Sequence, residues 1–206
     1  MGDFGVKLTG DWERAAQITQ RMNDRFDQAA ERAILKEAHY LRGKMVQNIT
    51  SGGALAGKPF APLSPMTLAV RQFTGRGGSK PLIVTGGLRN AITVLKVNGG
   101  VFVGIKRSGK GKGGAGGSNL AELHEFGGGP WTRPMTDKQR RFLAAAARNA
   151  GIPFGDPPQG GGVLKIRIPA RPFIQPVVDQ FARGEDVKKR FWNEVARAMG
   201  GDFGTP

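Results

Sequence analysis

The feature that most constrains this chain is a long N-terminal segment, residues 11–47, which contains no proline and a single glycine, Gly43. Within it, apolar side chains recur at intervals of three to five residues, mostly four, which is the spacing of one helix face. We therefore predict one helix over this segment, and at 1.5 Å per residue it would extend roughly 55 Å. The apolar residues are Ile18, Met22, Phe26, Ala29, Ala33, Ala38, Leu41 and Met45.

The apolar face of this helix leaves two interpretations open. A helix of this length exceeds what the core of a domain of this size can cover, so part of the apolar face is expected to pack on another subunit. Alternatively, the whole face packs within its own chain. The opposite face carries residues of both charges, which suits contact with water.

Two sequence patterns predict β-strands. Asn98-Gly99 lies between two apolar runs, 93–97 and 101–105, and this dipeptide favours a tight hairpin turn that Gly100 would widen by one residue. Residues 163–168 alternate apolar and basic side chains, as in a strand with one face in water. The predicted fold class is α+β, with a small antiparallel sheet, a long N-terminal helix, a short helical insertion and one or two C-terminal helices.

The length of the chain and its 39% hydrophobic content predict a single domain over residues 1–206. Residues 106–118 hold six glycines and four basic residues, which predicts a flexible arm. Three further expectations concern the second half of the chain. They are a helical turn over 120–125 closed by glycines 127–129, an insertion at 130–162 whose helix begins near Thr136, and a C-terminal helical region at 174–199.

The net charge of +15 is unevenly distributed along the sequence. Residues 52–118 carry 10 basic residues and no acidic residue. This segment is either a solvated basic face or a contact surface for a polyanion such as DNA, bound without sequence preference. The candidate contacts on the arm are Lys106, Arg107, Lys110 and Lys112, which could equally reach a neighbouring protein.

The sequence offers no catalytic, cofactor or metal site that we would select. It has no cysteine, and its two histidines, His39 and His124, have no partner at a metal-binding spacing. Residues 104–110 match the spacing of a phosphate-binding loop, but Gly111 follows where a serine or threonine is needed. We therefore expect no enzyme activity. No apolar run is long enough to cross a membrane, so we expect a soluble protein made in a host cytoplasm.

Five short sequence blocks occur in a defined order in the middle and at the end of the chain. They are P-L-S-P-M-T (62–67), K-P-L-I-V-T-G-G-L-R-N-A-I (80–92), V-F-V-G-I (101–105), E-L-H-E-F-G (122–127) and I-P-A-R-P-F (168–173). Together they resemble the virion-morphogenesis, or tail-completion, proteins of tailed bacteriophages. The chain departs from that pattern in its long insertion and in its glycine content.

The resemblance implies a structural protein of the virion, located in the neck or at the head-proximal end of the tail. It implies a homo-oligomer, expected to be a sixfold ring through which genome DNA passes. The implied protein partners are a connector or stopper protein and a tail terminator or tail tube protein. Two alternatives stay open: a tail terminator or tube-associated structural protein, and a non-specific DNA-binding protein.

The P-A-R-P-F block and the H-E-F-G turn supply the candidate interface residues, which are Arg171, Pro172, Phe173, His124 and Phe126. On one hypothesis, Phe173 anchors a subunit contact and Arg171 is held for it between two prolines. Replacing Arg171 by alanine would then weaken assembly and leave folding intact. On the other hypothesis, Phe173 fills the core of its own chain, and Arg171 caps a helix or pairs with a carboxylate.

Overall fold

The computed structural model describes residues 10–76, 78–106, 120–153 and 162–200. It confirms the α+β class, with the long N-terminal helix, small antiparallel sheets and C-terminal helices. The helices are α1 (Trp12–Thr50), α2 (Pro65–Phe73), α3 (Gly87–Asn90), α4 (Leu120–Phe126), α5 (Asp137–Asn149), α6 (Gln175–Phe181) and α7 (Glu185–Met199). The strands are β1 (Ile92–Val97), β2 (Gly100–Ile105), β3 (Gly128–Pro134) and β4 (Val163–Ile168), and a short 3₁₀ turn covers Ala54–Ala56.

The chain divides into two compact units. Unit 1 comprises Met1–Glu37 and Gly184–Pro206, and unit 2 comprises Ala38–Arg183. The helix α1 contributes its first part to unit 1 and its last part to unit 2. The prediction of a single domain stays a prediction.

Unit 1 consists mainly of the first part of α1 and the helix α7. Its small core contains Ala29 and Ala33 from α1 and Val195 from α7, with Phe191 and Met199 packed against it. Alanine at two positions of one helix face lets the facing helix approach closely. Two ion pairs flank this core. Glu37 accepts two hydrogen bonds from Arg190, at 2.9 and 2.5 Å, and Lys36 pairs with Glu194.

Unit 2 has the larger core. The last turns of α1 contribute Met45 and Ile49 to it, both almost completely buried. The side chain of Asn48 is also fully buried there, and its two ends are satisfied: Nδ2 donates to the carbonyl of Phe173 at 3.4 Å, and Oδ1 accepts from the Ala56 amide at 3.2 Å. The remaining core residues come from several other parts of the unit, and they are Phe60, Ile92, Ala121, Phe173 and Val177.

The described strands form two separate two-stranded antiparallel sheets, β1 with β2 and β3 with β4. The hairpin at Asn98-Gly99 is confirmed, but Gly100 does not widen its turn, because Gly100 belongs to β2 and pairs with Val97. The helix predicted from Thr136 is also confirmed: Thr136 is its N-cap, and it forms a capping box with Gln139.

The sequence-based account of residues 127–134 was incomplete. Gly127 does end α4, but Gly128 already belongs to β3, which pairs with β4 from Gly128↔Ile168 to Pro134↔Val163. The predicted insertion at 130–162 therefore begins with a strand and continues with α5. Within it, α5 packs on α2, with Phe142 and Phe73 edge to face at 5.6 Å between ring centroids. Among the described residues, no helix is sufficiently long and apolar to span a membrane.

Gly127 sits where two segments of backbone approach too closely for any side chain. Its φ of 75° lies in the left-handed region, and an added Cβ would lie 2.7 Å from the Ala170 amide nitrogen. We expect Gly127→Ala to lower the free energy of unfolding by at least about 2 kcal/mol, measured by urea denaturation. The matched control is Gly43→Ala in α1, where a Cβ meets no atom within 4 Å. This control should be neutral or stabilising by up to about 1 kcal/mol, and equal losses in both variants would contradict the prediction.

Candidate functional site

Four of the five sequence blocks meet at one pocket in unit 2, with a volume of about 590 Å³. These blocks are far apart in the sequence, yet each contributes part of the wall. The pocket is lined by residues 62–65 and Thr67 from the first block, Leu82 and residues 84–88 from the second, His124 from the fourth, and Ile168, Pro169 and Arg171 from the fifth. The hairpin block, residues 101–105, does not line it.

Arg171 joins three of these blocks through backbone groups. Its side chain is only 5% exposed. Its Nε donates to the carbonyl of Ala61 at 2.7 Å, and Nη2 donates to the carbonyl of Pro62 at 2.9 Å. Its own amide donates to the carbonyl of His124 at 2.7 Å. The planar fork of a guanidinium can bridge two successive carbonyls in this way, and a lysine could not.

Glu125 holds the segment that follows Arg171. Its Oε2 accepts from the amides of Phe173 at 2.9 Å and Ile174 at 3.1 Å, and its Oε1 accepts from the amide of Gln175 at 2.8 Å. These amides open the helix α6, where backbone donors lack partners within the helix. A buried carboxylate can satisfy them because it accepts several hydrogen bonds and carries negative charge beside the positive end of the helix. Glu125 is therefore a structural residue of the site.

Arg71 supports the opposite wall. It lies on α2, and its Nη1 donates to the carbonyls of Gly78 and Lys80, at 2.9 and 3.0 Å, and more weakly to Ile83 at 3.3 Å. These contacts tie the loop before α3 to α2. Leu82, in this loop, has a φ of 61°, which is unusual for a residue with a side chain. The loop is thus held by Arg71 and also by Lys80, whose Nζ donates to the carbonyl of Thr50 at 3.3 Å.

The pocket combines positive charge with an apolar wall. Three of the residues that line it are arginines, Arg71, Arg167 and Arg171, and none is acidic. The pKa of Arg171 lies below its usual value, because burial and then the charge of Arg71 disfavour the protonated form. The wall between the arginines is formed by apolar residues, among them Leu63, Leu82, Leu88, Leu120 and Ile168. Such a lining suits a ligand that carries both an anionic group and an apolar group.

His124 has an unsatisfied ring nitrogen at this pocket. It is half-buried, and its Nδ1 has no hydrogen-bond partner although the atom is inaccessible to solvent. Burial of the ring, and then the charge of Arg171, lower the pKa of His124 below its usual value, so the neutral form is favoured. An unsatisfied buried polar atom is uncommon in a folded protein, and here it belongs to a residue that lines a pocket.

The predicted interface residues fall into two groups. Phe173 is fully buried in the core of its own chain and is not available for a subunit contact, whereas Arg171 is almost fully buried and is held by backbone carbonyls. For Phe173 the core interpretation is therefore correct. For Arg171 both proposed partners were wrong, because its partners are backbone carbonyls and not a helix end or a carboxylate. Phe126 is 76% exposed and remains a candidate contact, and Pro172 is half-buried.

Of the four candidate residues on the basic arm, Lys106 is exposed at the end of β2. Arg107, Lys110 and Lys112 lie outside the described residues. Arg71, Arg167 and Leu120 line the pocket, yet no block of the sequence indicated them. A usable signal for Arg71 was its place on the same face of α2 as Thr67, one turn earlier, which lies in the first block.

No family model, no curated protein and no solved structure matches the chain. Over the described ranges, which omit 1–9, 77, 107–119, 154–161 and 201–206, no group of three or more side chains has the composition of a metal site.

Arg171 is expected to be essential for stability. Replacing it by alanine leaves the carbonyls of Ala61 and Pro62 without their donor. We expect Arg171→Ala to lower the free energy of unfolding by about 2–4 kcal/mol, and Arg171→Lys to recover only part of the loss. Chemical denaturation followed by circular dichroism would measure both. The control is Arg167→Ala, an exposed arginine of the same pocket, whose effect should stay within about 0.5 kcal/mol. Unchanged stability of Arg171→Ala would mean that folding does not need this side chain.

The lowered pKa of His124 predicts a pH dependence of stability. Because the folded-state pKa lies below the unfolded one, the unfolded chain binds more protons, and the free energy of unfolding falls as the pH drops from neutral through the folded-state pKa. Comparing unfolding at about pH 7.5 and about pH 5.5 should show this decrease, and His124→Gln should reduce it. His39→Gln, on an exposed position of α1, is the control. A decrease that is the same in His124→Gln and in the wild type would rule out this cause.

Proposed function

We propose that this chain is a structural protein of a tailed-phage virion, which completes the tail or joins head to tail as part of a neck ring through which DNA passes. In this role it assembles and does not catalyse. The observation that carries the proposal is the uncovered apolar face of α1. Ile18 and Met22 are 50% and 56% exposed, and Phe26, one turn after Met22, is 41% exposed with its ring 6.5 Å from that of Trp192. Contiguous apolar side chains on a surface mark a site of protein association.

This apolar face continues the stripe that α7 covers. Ala29 and Ala33 pack on Val195 inside unit 1. Towards the N-terminus of the same helix, Ile18 and Met22 lie outside that core cluster. One stripe is therefore covered within the chain at one end and exposed at the other, which supports the interpretation that another subunit covers the exposed end.

The charge of the chain supports proximity to DNA. Unit 2 contains 21 basic and 5 acidic residues, and unit 1 contains 10 basic and 11 acidic residues. The whole positive excess therefore belongs to unit 2. A strongly basic unit attracts a phosphate backbone without reading its sequence, as a protein that surrounds moving DNA would need.

The remaining parts of the proposal derive from the resemblance of the sequence blocks. They are a homo-oligomer, expected to be hexameric, a place in the neck or at the head-proximal end of the tail, and contacts with a connector or stopper and with a tail terminator or tube protein. A tail terminator or tube-associated protein is a related alternative. The charge of unit 2 specifically favours one further candidate, a non-specific DNA-binding protein.

The exposed apolar face predicts the outcome of an assembly experiment. Light scattering on the wild-type chain, alone or with its virion partners, should reveal a species of about six times the 22.0 kDa chain mass. The double variant Ile18→Asp, Met22→Asp places two charges on the apolar face, where association would bury them, and it should stay monomeric. Circular dichroism should show that its helix content is retained.

The control carries the same charges on the other side of α1. Ala16 and Asn23 are exposed there, and the double variant Ala16→Asp, Asn23→Asp should assemble like the wild type. If both double variants assemble, the apolar face is not the interface. If the wild-type chain is a strict monomer, joins no virion partner and binds a short DNA duplex with a steep salt dependence, the DNA-binding alternative replaces the ring.

A further inference from the structure

The pocket of unit 2 presents hydrogen-bond donors that have no partner in the part of the chain that the structure describes. Among the described residues, Arg167 has no hydrogen-bond or ion-pair partner. The Nη2 of Arg71 and the Nη1 of Arg171 likewise have no acceptor there, because the carbonyl contacts use other nitrogens. Three arginines with free N–H groups thus face a space that contains no carboxylate of its own.

The ligand class follows from the lining of the pocket. Guanidinium donors recognise carboxylate and phosphate groups in two-point geometry, and the buried position of Arg171 strengthens such a contact. A bare inorganic anion would leave the apolar wall, including Leu88 and Leu120, facing water. A peptide segment with an acidic side chain beside an aromatic one satisfies both parts, because its carboxylate can bind the arginines and its ring can cover the apolar wall.

The sequence contains such a segment twice. Gly-Asp-Phe-Gly occurs at residues 2–5 and again at residues 201–204. Both copies lie outside the described residues, and only their composition bears on the pocket. Residues 201–206 hold one acidic and no basic residue, whereas residues 1–9 also hold Lys7. The C-terminal copy therefore complements the arginine-rich pocket better.

We propose that the pocket of unit 2 is a docking site for the Gly-Asp-Phe-Gly segment at residues 201–204 of a second copy of this chain. The Asp202 carboxylate binds the arginines, and the Phe203 ring contacts the apolar wall. This inference rests on the proposed function, because it presupposes association between copies. The inference adds to the proposed function a second contact between neighbouring subunits, which is separate from the apolar face of α1.

The test uses the full-length chain and a dye-labelled, C-terminally amidated peptide of residues 199–206. Fluorescence anisotropy should give a dissociation constant below about 1 mM. Arg167→Glu reverses a charge in the pocket and should weaken binding by about tenfold or more. Lys165→Glu makes the same change two residues earlier on β4, also at an exposed position but outside the pocket, and it should change binding by less than about twofold.

Changes in the peptide complete the test. Asn in place of Asp202 should weaken binding to the wild-type chain, and it should have little further effect on Arg167→Glu, since the two groups contact each other. Alanine in place of Phe203 should weaken binding to both. Binding that is undetectable at about 1 mM, or reduced equally by Arg167→Glu and Lys165→Glu, would overturn the proposal. Full displacement by inorganic phosphate, with no effect of Phe203, would identify a free-anion site instead.

This inference and the proposed function can fail separately. If the wild-type chain forms the ring but the peptide does not bind, the docking segment is wrong and the ring stands. If the peptide binds with the expected dependence on Arg167 and Asp202, while the chain and its partners form no ring, the docking site stands and the neck role falls.

Discussion

Two buried charged side chains hold unit 2 together, and neither is neutralised by the other. Arg171 donates to the carbonyls of Ala61 and Pro62, and Glu125 accepts from three amides at the start of α6. An isolated buried charge is strongly unfavourable, and these charges are tolerated only because several backbone dipoles solvate each of them. The contacts that they replace are those of water, so removing either side chain leaves the backbone groups that it contacts without their hydrogen-bond partner.

The use of arginine as a backbone clamp explains why the pocket is positive. Arg71 and Arg171 both donate to carbonyl oxygens, which are neutral, and so their charges remain after their hydrogen bonds are made. A fold that used arginine–carboxylate pairs for the same purpose would have left a neutral pocket. Unit 1 does use such pairs, as between Glu37 and Arg190, and its residues are nearly balanced in charge. The positive charge of the pocket thus follows from the use of backbone carbonyls, and not carboxylates, as partners of its arginines.

The sequence predicted local structure well where the signal was local. The apolar period of α1 and the Asn98-Gly99 turn specify their elements through interactions within a few residues. The strand β3 was missed because its pairing with β4 is non-local and its first residues, Gly128 to Pro130, have low strand propensity. The sequence also could not predict what covers the apolar stripe of α1, because periodicity identifies an apolar face but not the element or subunit that packs on it. For the same reason Phe173 was placed correctly on only one of two hypotheses.

Four of the sequence blocks line one pocket, and this arrangement bears on the role of the residues in those blocks. The fold itself requires Phe173, Glu125 and Gly127. Phe173 fills the core, Glu125 accepts hydrogen bonds from backbone amides, and Gly127 lies against backbone atoms. These requirements alone account for much of the pattern of sequence blocks. They do not account for Thr85 or Pro169, which line an open pocket and are exposed. These residues border a pocket of about 590 Å³ that is open to solvent, so their side chains are accessible to a ligand. That accessibility is what the docking site proposed above depends on.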